Sequence, residues 1–464
     1  MENYDITVIG AGPGGYVAAI KAAQMGAKTA IIEKEDIGGV CLNWGCIPTK
    51  TLLKSAKVFD NIMNSEKYGI DISDKSVISV NWPNMQKRKD KVVKKLTGGV
   101  EFLLKKNSIK VYKGYGEIVD RNTIKVNSET IKTKNLIIAT GSSPKLPSID
   151  GINEANEDGL VVTSKEILAL DNIPKNLIVV GGGVVGVEFA TLFNALGSKV
   201  TIFQRSDKIL GNIDIDIRDT MADILTKSGI EIIYNVDVEK FQDNSLMATV
   251  DGEKREFKAE KVLVSIGRKA NSKGLDKLSI ELDKRGNVIT NEKLQTNIEG
   301  VYAIGDINGK FMLAHVASAE GIVAVENIMG KETTIDYDKA PSCIYGFPEI
   351  GTAGLTEQMA RERGHDVIVS TFPISANGKA LAEGESHGFI KIVADKKYGE
   401  VLGTHILAPN ATDMIAEAVT TMELEGTVHE LAKAIHPHPT LSEIVMEAAH
   451  GAVDKPIHIY VGDK

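Results

Sequence analysis

The sequence predicts an α/β protein with two doubly wound parallel-sheet units and a C-terminal α+β domain. Three observations carry that prediction. A glycine-rich turn sits between an apolar strand pattern at residues 5–9 and an apolar helical run at residues 16–25. The same arrangement returns at residues 177–196. From Tyr337 onward, strands and helices continue without a third glycine fingerprint. Such a glycine turn, following a strand and opening a helix, marks a Rossmann-like dinucleotide-binding unit. The length of 464 residues fits about three domains at roughly 150 residues each.

In the first unit the turn contains Gly10, Gly12 and Gly15, and a second strand at residues 29–32 ends at Glu33. Gly10 permits the turn, Gly12 lets backbone approach a pyrophosphate, and Gly15 lets the helix pack on its strand. The helix N-terminus then faces the phosphates, and Glu33 is placed for ribose hydroxyls.

Next comes the run from Gly38 to Lys50, which holds Cys41 and Cys46 with four residues between them. That spacing is too long for a C-x-x-C pair, and no second cysteine pair follows to complete a zinc pattern. A sharp local turn would bring the two sulfurs within bonding reach.

Residues 58–106 read as helical, with Val92, Leu96, Val100 and Leu103 as an apolar stripe. Lys87, Arg88, Lys89, Lys91, Lys94 and Lys95 read as its solvated basic face. Short strands follow at residues 111–112, 123–126, 130–131 and 136–140, as expected of a meander returning to the sheet.

The second unit repeats the design with Gly181, Gly183 and Gly186, a helix over residues 187–196 and strands at 199–203 and 262–266. One position differs. Gly10 to Glu33 and Gly181 to Gln204 are both 23 positions, so neutral Gln204, followed by Arg205, stands where the first unit has an acid. A carboxylate there repels a 2′-phosphate and an arginine attracts one, so the second site is expected to accept NADPH, with NADH left open.

Residues 300–306 read as a short buried strand ending in Gly305 and Asp306, a carboxylate where ligands bind in open α/β sheets. A helix through about Met329 follows. Later, His436 and His438 each precede a proline, which biases both to extended backbone. Glu443 lies one turn beyond Thr440, where a helix through His450 is expected to begin with a Thr–Glu capping box. The same carboxylate can orient the His438 imidazole. Cys343 has no sequence partner and reads as structural.

Composition excludes other classes. A net charge of −8 offers no basic excess for nucleic acid. Three cysteines are too few for a disulfide-stapled secreted protein. No run of about 18 apolar residues predicts a membrane span, and no leader peptide is read at the N-terminus. The expected location is cytoplasmic.

Taken together, the chain resembles the FAD-dependent pyridine nucleotide–disulfide oxidoreductases over essentially its full length. The motifs that carry the resemblance are the first glycine turn, the run from Gly39 to Lys50, Gly305-Asp306, the run from Met312 to His315, and the run from His438 to Glu443. The Met312–His315 run favours the branch that acts on lipoamide. The resemblance implies FAD bound by residues 1–146 with 270–336, NAD or NADP bound by residues 147–269, and a homodimer formed through residues 337–464. It places Glu33 on the adenosine ribose, Asp306 on the ribityl chain, and Lys50 near the flavin N5, paired with Glu188. Gly141, Ala314 and Gly267 complete the cofactor-binding set, and no metal is implied. Dihydrolipoamide would be oxidised through a Cys41–Cys46 disulfide, with Cys41 as the exchange thiol and Cys46 on the flavin side. His438, oriented by Glu443, would act as base in the partner subunit's site. The lipoyl group would arrive on another protein, an E2 component or a glycine cleavage H protein, since no lipoyl domain is read here. The departures from the family pattern are the pair Gln204-Arg205, Ala190 where glycine is common, and Pro437. The first two leave NAD specificity open. The alternatives are an NADPH-dependent reductase of another small disulfide, such as glutathione disulfide, and a flavoprotein acting mainly as a subunit of a larger complex.

Overall fold

The computed structural model describes residues 2–462. Its first sheet has seven strands. Strand Glu2–Ile9 is central, parallel to Thr29–Glu33 on one side and to Glu129–Ile138 on the other. The long strand Glu129–Ile138 serves two neighbours on its far edge. Its first half pairs antiparallel with Thr123–Val126 and its second half pairs parallel with Val301–Ala303, so Leu136 lies between Thr7 and Val301. The expected meander is therefore present, but its last two strands are one. Residues some 165 positions apart in sequence thus share one sheet, which brings Asp306 back to the first glycine turn's unit.

The second sheet is all parallel, in the order Glu231–Ile233, Lys199–Phe203, Asn176–Val180, Lys261–Val264, Val161–Val162. Its strands are near-continuous runs of Val, Ile and Leu, as a sheet covered on both faces demands. The C-terminal unit is a five-stranded antiparallel sheet, ordered Ser342–Ile344, Glu349–Gly354, Val401–Ala408, Phe389–Asp395, Val367–Pro373. Helices Ala411–Glu423 and Glu443–Val453 pack on it and share its core.

Both glycine turns are built alike. The helices Pro13–Gln24 and Val184–Ala195 each begin directly after the second glycine, Gly12 or Gly183, three residues earlier than the apolar pattern alone indicates. A Cβ on Gly15 would stand 1.9 Å from the Gly10 carbonyl oxygen, and one on Gly186 would stand 2.0 Å from that of Gly181. Only glycine permits that helix–strand approach.

The region 58–106 is not one helix. One helix ends at Met63, two 3-10 turns follow at Ser65–Tyr68 and Lys75–Val77, and a second helix runs Trp82–Lys106. The second start is encoded locally: Asn81 caps the Asn84 N–H and proline occupies the first turn. Its inner face is Trp82, Lys89, Val100 and Leu104, while Leu96 and Leu103 are exposed. Lys89 therefore leaves the basic face: its ammonium is buried and donates to the Leu168 carbonyl at 2.9 Å.

One core joins the three units. Leu52 and Trp82 from the first, Leu177 and Phe193 from the second, and Ile344 and Leu407 from the C-terminal unit lie in a single buried cluster. Beside it, the buried Lys391 of the C-terminal sheet pairs with Asp214 of the second unit at 3.2 Å and with Glu357 at 3.0 Å. Among the described residues, no helix is long and apolar enough to cross a membrane.

Candidate active site

The two cysteines stand at the ends of a tight double helix start. A short helix, Gly39–Trp44, carries Cys41; Gly45 breaks it; Cys46 then opens the long helix Cys46–Met63. Asn43 ties the first helix down by donating to the Ile37 and Gly39 carbonyls at 3.0 and 2.9 Å. The whole segment is stitched onto the first glycine turn. The Gly38 N–H donates to the Ala11 carbonyl at 2.8 Å. A Cβ on Gly39 would stand 2.7 Å from the Gly12 Cα.

Both thiols are free and half-buried. The two thiols interact, and that interaction splits their acidities. The Cys41 thiol is pushed well up, while Cys46 is lowered by its Cys41 neighbour, aided by the nearby Lys50 charge. Cys46 also sits at the positive end of a helix, which favours a thiolate. The two sulfurs are therefore suited to different tasks.

Lys50 lies one helical turn beyond Cys46. Its ammonium donates to both Glu188 oxygens, at 2.9 and 2.8 Å. Glu188 is buried within the second unit's first helix, so this pair bridges the two nucleotide units. It is closed from the third side by Tyr345, whose backbone N–H donates to Glu188 at 3.1 Å and whose ring lies 4.4 Å from the Lys50 ammonium. Tyr345 had no signal in the sequence beyond a lone aromatic after an apolar strand.

Asp306 follows strand Val301–Ala303 and accepts from the Ser142 hydroxyl. Arg268 donates to Ser142 at 2.6 Å and lies 3.5 Å from Asp306. Beneath this loop is Glu320, fully buried, which accepts from the Gly305 N–H at 2.5 Å, from Asn308 at 2.9 Å and from the Tyr337 hydroxyl at 2.6 Å. Burial pushes its carboxyl above the usual range. Glu320 escapes the sequence reading because it sits in mid-helix; a charge inside an otherwise small, apolar helix was its only signature.

Three helices begin without a side-chain cap. Gly12, Gly183 and Leu313 are helix N-cap positions with no side chain capping the first turn, the last of them leading into Ala314. Those free backbone N–H groups are a ready anion site and fit a dinucleotide's phosphates. Gly141 and Gly267 both have positive φ at the hinge between the units, where Asn271 N–H meets the Gly141 carbonyl and Lys145 N–H meets that of Gly267. Glu33 and Gln204 occupy matching places: Glu33 accepts from the Ala11 N–H at 2.7 Å and Gln204 accepts from the Gly182 N–H at 2.9 Å. Arg205 points away on an exposed rim, 3.1 Å from Asp237. Ala190 is buried in the helix with Glu188.

His438 pairs with Glu443 at the surface of the C-terminal unit. Its imidazole is 78 % exposed and bonds Glu443 through Nδ1 at 2.9 Å. Among the described residues, no hydrogen bond or ion pair joins this pair to either cysteine. The expected capping box is half formed. Glu443 accepts from the Thr440 N–H at 2.8 Å, but the helix starts at Glu443 with Ser442 as its cap, and the Thr440 hydroxyl turns back to the Pro437 carbonyl. A second imidazole, His436, is held by Glu417 at 2.8 Å, which raises its pKa. Cys343 packs at the edge of the C-terminal core and burial pushes its thiol up to about 11.

Known proteins match this arrangement closely. The sequence profile described as pyridine nucleotide-disulphide oxidoreductase matches residues 4–321, and the dimerisation domain of that family matches residues 340–449. Dihydrolipoyl dehydrogenase of Bacillus subtilis is 43 % identical, with 98 % of this chain and 99 % of the relative covered. The protein of that name from Mycoplasma genitalium is 41 % identical over 97 % of this chain and 99 % of its own length. The one from Acholeplasma laidlawii is 55 % identical over 71 % of this chain and 97 % of its own. Among solved structures, the HOCl-induced flavoprotein disulfide reductase RclA from Escherichia coli superposes with a TM-score of 0.85 at 28 % identity, covering 96 % of this chain and 99 % of that one. With its cysteine pair laid on the first of two glycine turns, this chain belongs to the pyridine nucleotide-disulphide oxidoreductases.

Proposed function

We propose that the protein is a dihydrolipoyl dehydrogenase, oxidising dihydrolipoamide to lipoamide with FAD as resident cofactor and a pyridine nucleotide as acceptor. The observation that carries this reading is the Cys41–Cys46 pair, with Cys46 made acidic beside Lys50, in a chain similar to named dihydrolipoyl dehydrogenases along its whole length. FAD is assigned to residues 1–146 with 270–336, the nucleotide to 147–269, and the homodimer contact to 337–464.

His438 removes a proton from one substrate thiol. Glu443 holds its Nδ1–H and stabilises the imidazolium, leaving Nε2 free as the base. Because His438 is exposed, with Glu443 as its bonded partner, it is assigned to the other subunit's site. The substrate thiolate attacks Cys41 of the oxidised pair, the Cys41–Cys46 bond breaks, and Cys46 leaves as a thiolate stabilised by Lys50 and the helix N-terminus. The second substrate sulfur then displaces Cys41, releasing lipoamide and leaving the protein's dithiol two electrons richer. FAD, when bound, supplies the route by which that electron pair leaves as hydride to NAD⁺. Glu33, Ser142 and Asp306 would hold the flavin nucleotide, and Lys50 would face its ring.

Gln204 puts no carboxylate opposite a 2′-phosphate, which supports use of NADP⁺ alongside NAD⁺. The lipoyl group is assigned to an E2 component of a 2-oxo acid dehydrogenase complex or to a glycine cleavage H protein. The cytoplasm is the assigned location, since a working dithiol suits a reducing compartment.

Steady-state oxidation of dihydrolipoamide with NAD⁺ and NADP⁺ tests the reading, and His438→Gln is expected to lower turnover by about 10²-fold or more with flavin retained. Faster reduction of glutathione disulfide by NADPH than oxidation of dihydrolipoamide would overturn it.

A further inference from the structure

We propose that Tyr345 is a positioning residue for the redox pair: reaching from the C-terminal unit, its ring anchors the Lys50 ammonium against Glu188 and so keeps Cys46 reactive. This rests on the assignment of Cys41 and Cys46 as the redox pair.

Three contacts define the device. Lys50 is held on one side by both carboxylate oxygens of Glu188 and on the other by the Tyr345 ring face at 4.4 Å. Tyr345 also gives its backbone N–H to that carboxylate at 3.1 Å. Tyr345 follows directly on strand Ser342–Ile344, and Ile344 belongs to the core shared by all three units. The side chain is thus delivered by the C-terminal unit to a salt bridge made between the other two.

The two charges act on Cys46 with opposite sign. Lys50 favours its thiolate and Glu188 opposes it. The carboxylate cannot leave, being buried in helix Val184–Ala195. The ammonium can: the Lys50 side chain is 29 % exposed and has solvent within reach. An aromatic face attracts such a cation. Without it, the lysine spends more time in water while Glu188 stays, and the balance at Cys46 moves toward the thiol. The other groups facing this point are unchanged by a substitution at 345. They are Cys41, with Tyr16 behind it, Arg268 of the hinge, and Cys343, which feels both Lys50 and Glu188.

The test is a thiol titration. Reduced holoprotein carrying Cys343→Ser is alkylated with iodoacetamide from about pH 5 to pH 9, and modification at Cys46 is located by tandem mass spectrometry. Tyr345→Phe keeps the ring and is expected to keep the parent midpoint. Tyr345→Leu is expected to raise the midpoint by about 0.5–1 pH unit. Phenylalanines bearing one to three ring fluorines keep the shape and drain the ring face, so the midpoint should climb with each fluorine even if the leucine variant does not fold. A lower melting temperature with an unmoved midpoint, in the leucine or the most fluorinated variant, would make Tyr345 a packing residue only and overturn the proposal. Failure of the parent protein to oxidise dihydrolipoamide would instead overturn the assigned function and leave this titration standing.

Discussion

The two glycine turns of this chain are braced by side chains of the same shape and different charge, Glu33 and Gln204. In the first, both Glu33 oxygens accept backbone N–H groups, from Ala11 at 2.7 Å and from Glu35 at 2.8 Å. In the second, the amide of Gln204 divides the work. Its oxygen accepts from the Gly182 N–H, and its nitrogen donates at 2.7 Å to the Ser206 hydroxyl, which in turn donates to the Lys208 carbonyl at 3.0 Å. The scaffold function of the residue is kept in both. What differs is the charge presented to a bound ribose. Tertiary demands on the turn are therefore met by any side chain with an acceptor of the right reach, and ligand preference is free to vary on top of them.

The largest effect is expected where the two units are most alike. Gly15→Ala and Gly186→Ala each force a methyl into a carbonyl oxygen 1.9–2.0 Å away. Each is expected to cost on the order of 3 kcal/mol or more. Calorimetry with cofactor titration should show the first losing flavin and the second losing the pyridine nucleotide. Similar loss of both ligands in both variants would show that the units do not act separately.

Next is the charge itself. Gln204→Glu restores the carboxylate of the first unit, and kcat/KM with NADP⁺ should fall roughly tenfold or more relative to NAD⁺, mostly through KM. The same change breaks the relay to Lys208, since Ser206 must turn to donate to the new carboxylate. An unchanged nucleotide ratio would separate this position from selectivity.

The reverse exchange, Glu33→Gln, is smaller. An amide cannot accept both N–H groups with its two ends, so one is left facing a donor, at about 1 kcal/mol. Flavin affinity, followed by release of fluorescence on dilution, should weaken by several-fold and not collapse. Smallest is Arg205→Ala. Its guanidinium is exposed and already shared with Asp237, so about a twofold rise in KM for NADP⁺ is expected. A large rise would mean that Arg205 abandons Asp237 when the nucleotide binds.

Much of the site was legible because it is local. The glycines, the Cys41–Cys46 pair, Glu33 against Gln204, and the His438–Glu443 pair all lie within short stretches whose spacing carries the geometry. The misreadings have two causes, one distant and one local. Lys89 looks solvated along its own helix but is taken inward by the Leu168 carbonyl, a partner 79 residues away. The helix read over 58–106 hides a break, because apolar spacing resumes after it and only Asn81 and Pro83 mark the new start. Thr440 has the composition of a cap, yet its hydroxyl is claimed by Pro437.

The sequence by itself determined the two nucleotide units, the redox segment and the neutral side chain that sets the second unit apart, because turns, caps and short-range pairs are decided by neighbours a few residues away. The Lys50–Glu188 pair and the placing of His438 in a partner's site came from the family resemblance; only the tertiary structure decided that Tyr345 closes over that pair and that Glu320 braces the loop carrying Asp306 from below. Those contacts join residues 12 to 295 positions apart, and they exist only once buried strands and helices from three units have closed on a common core.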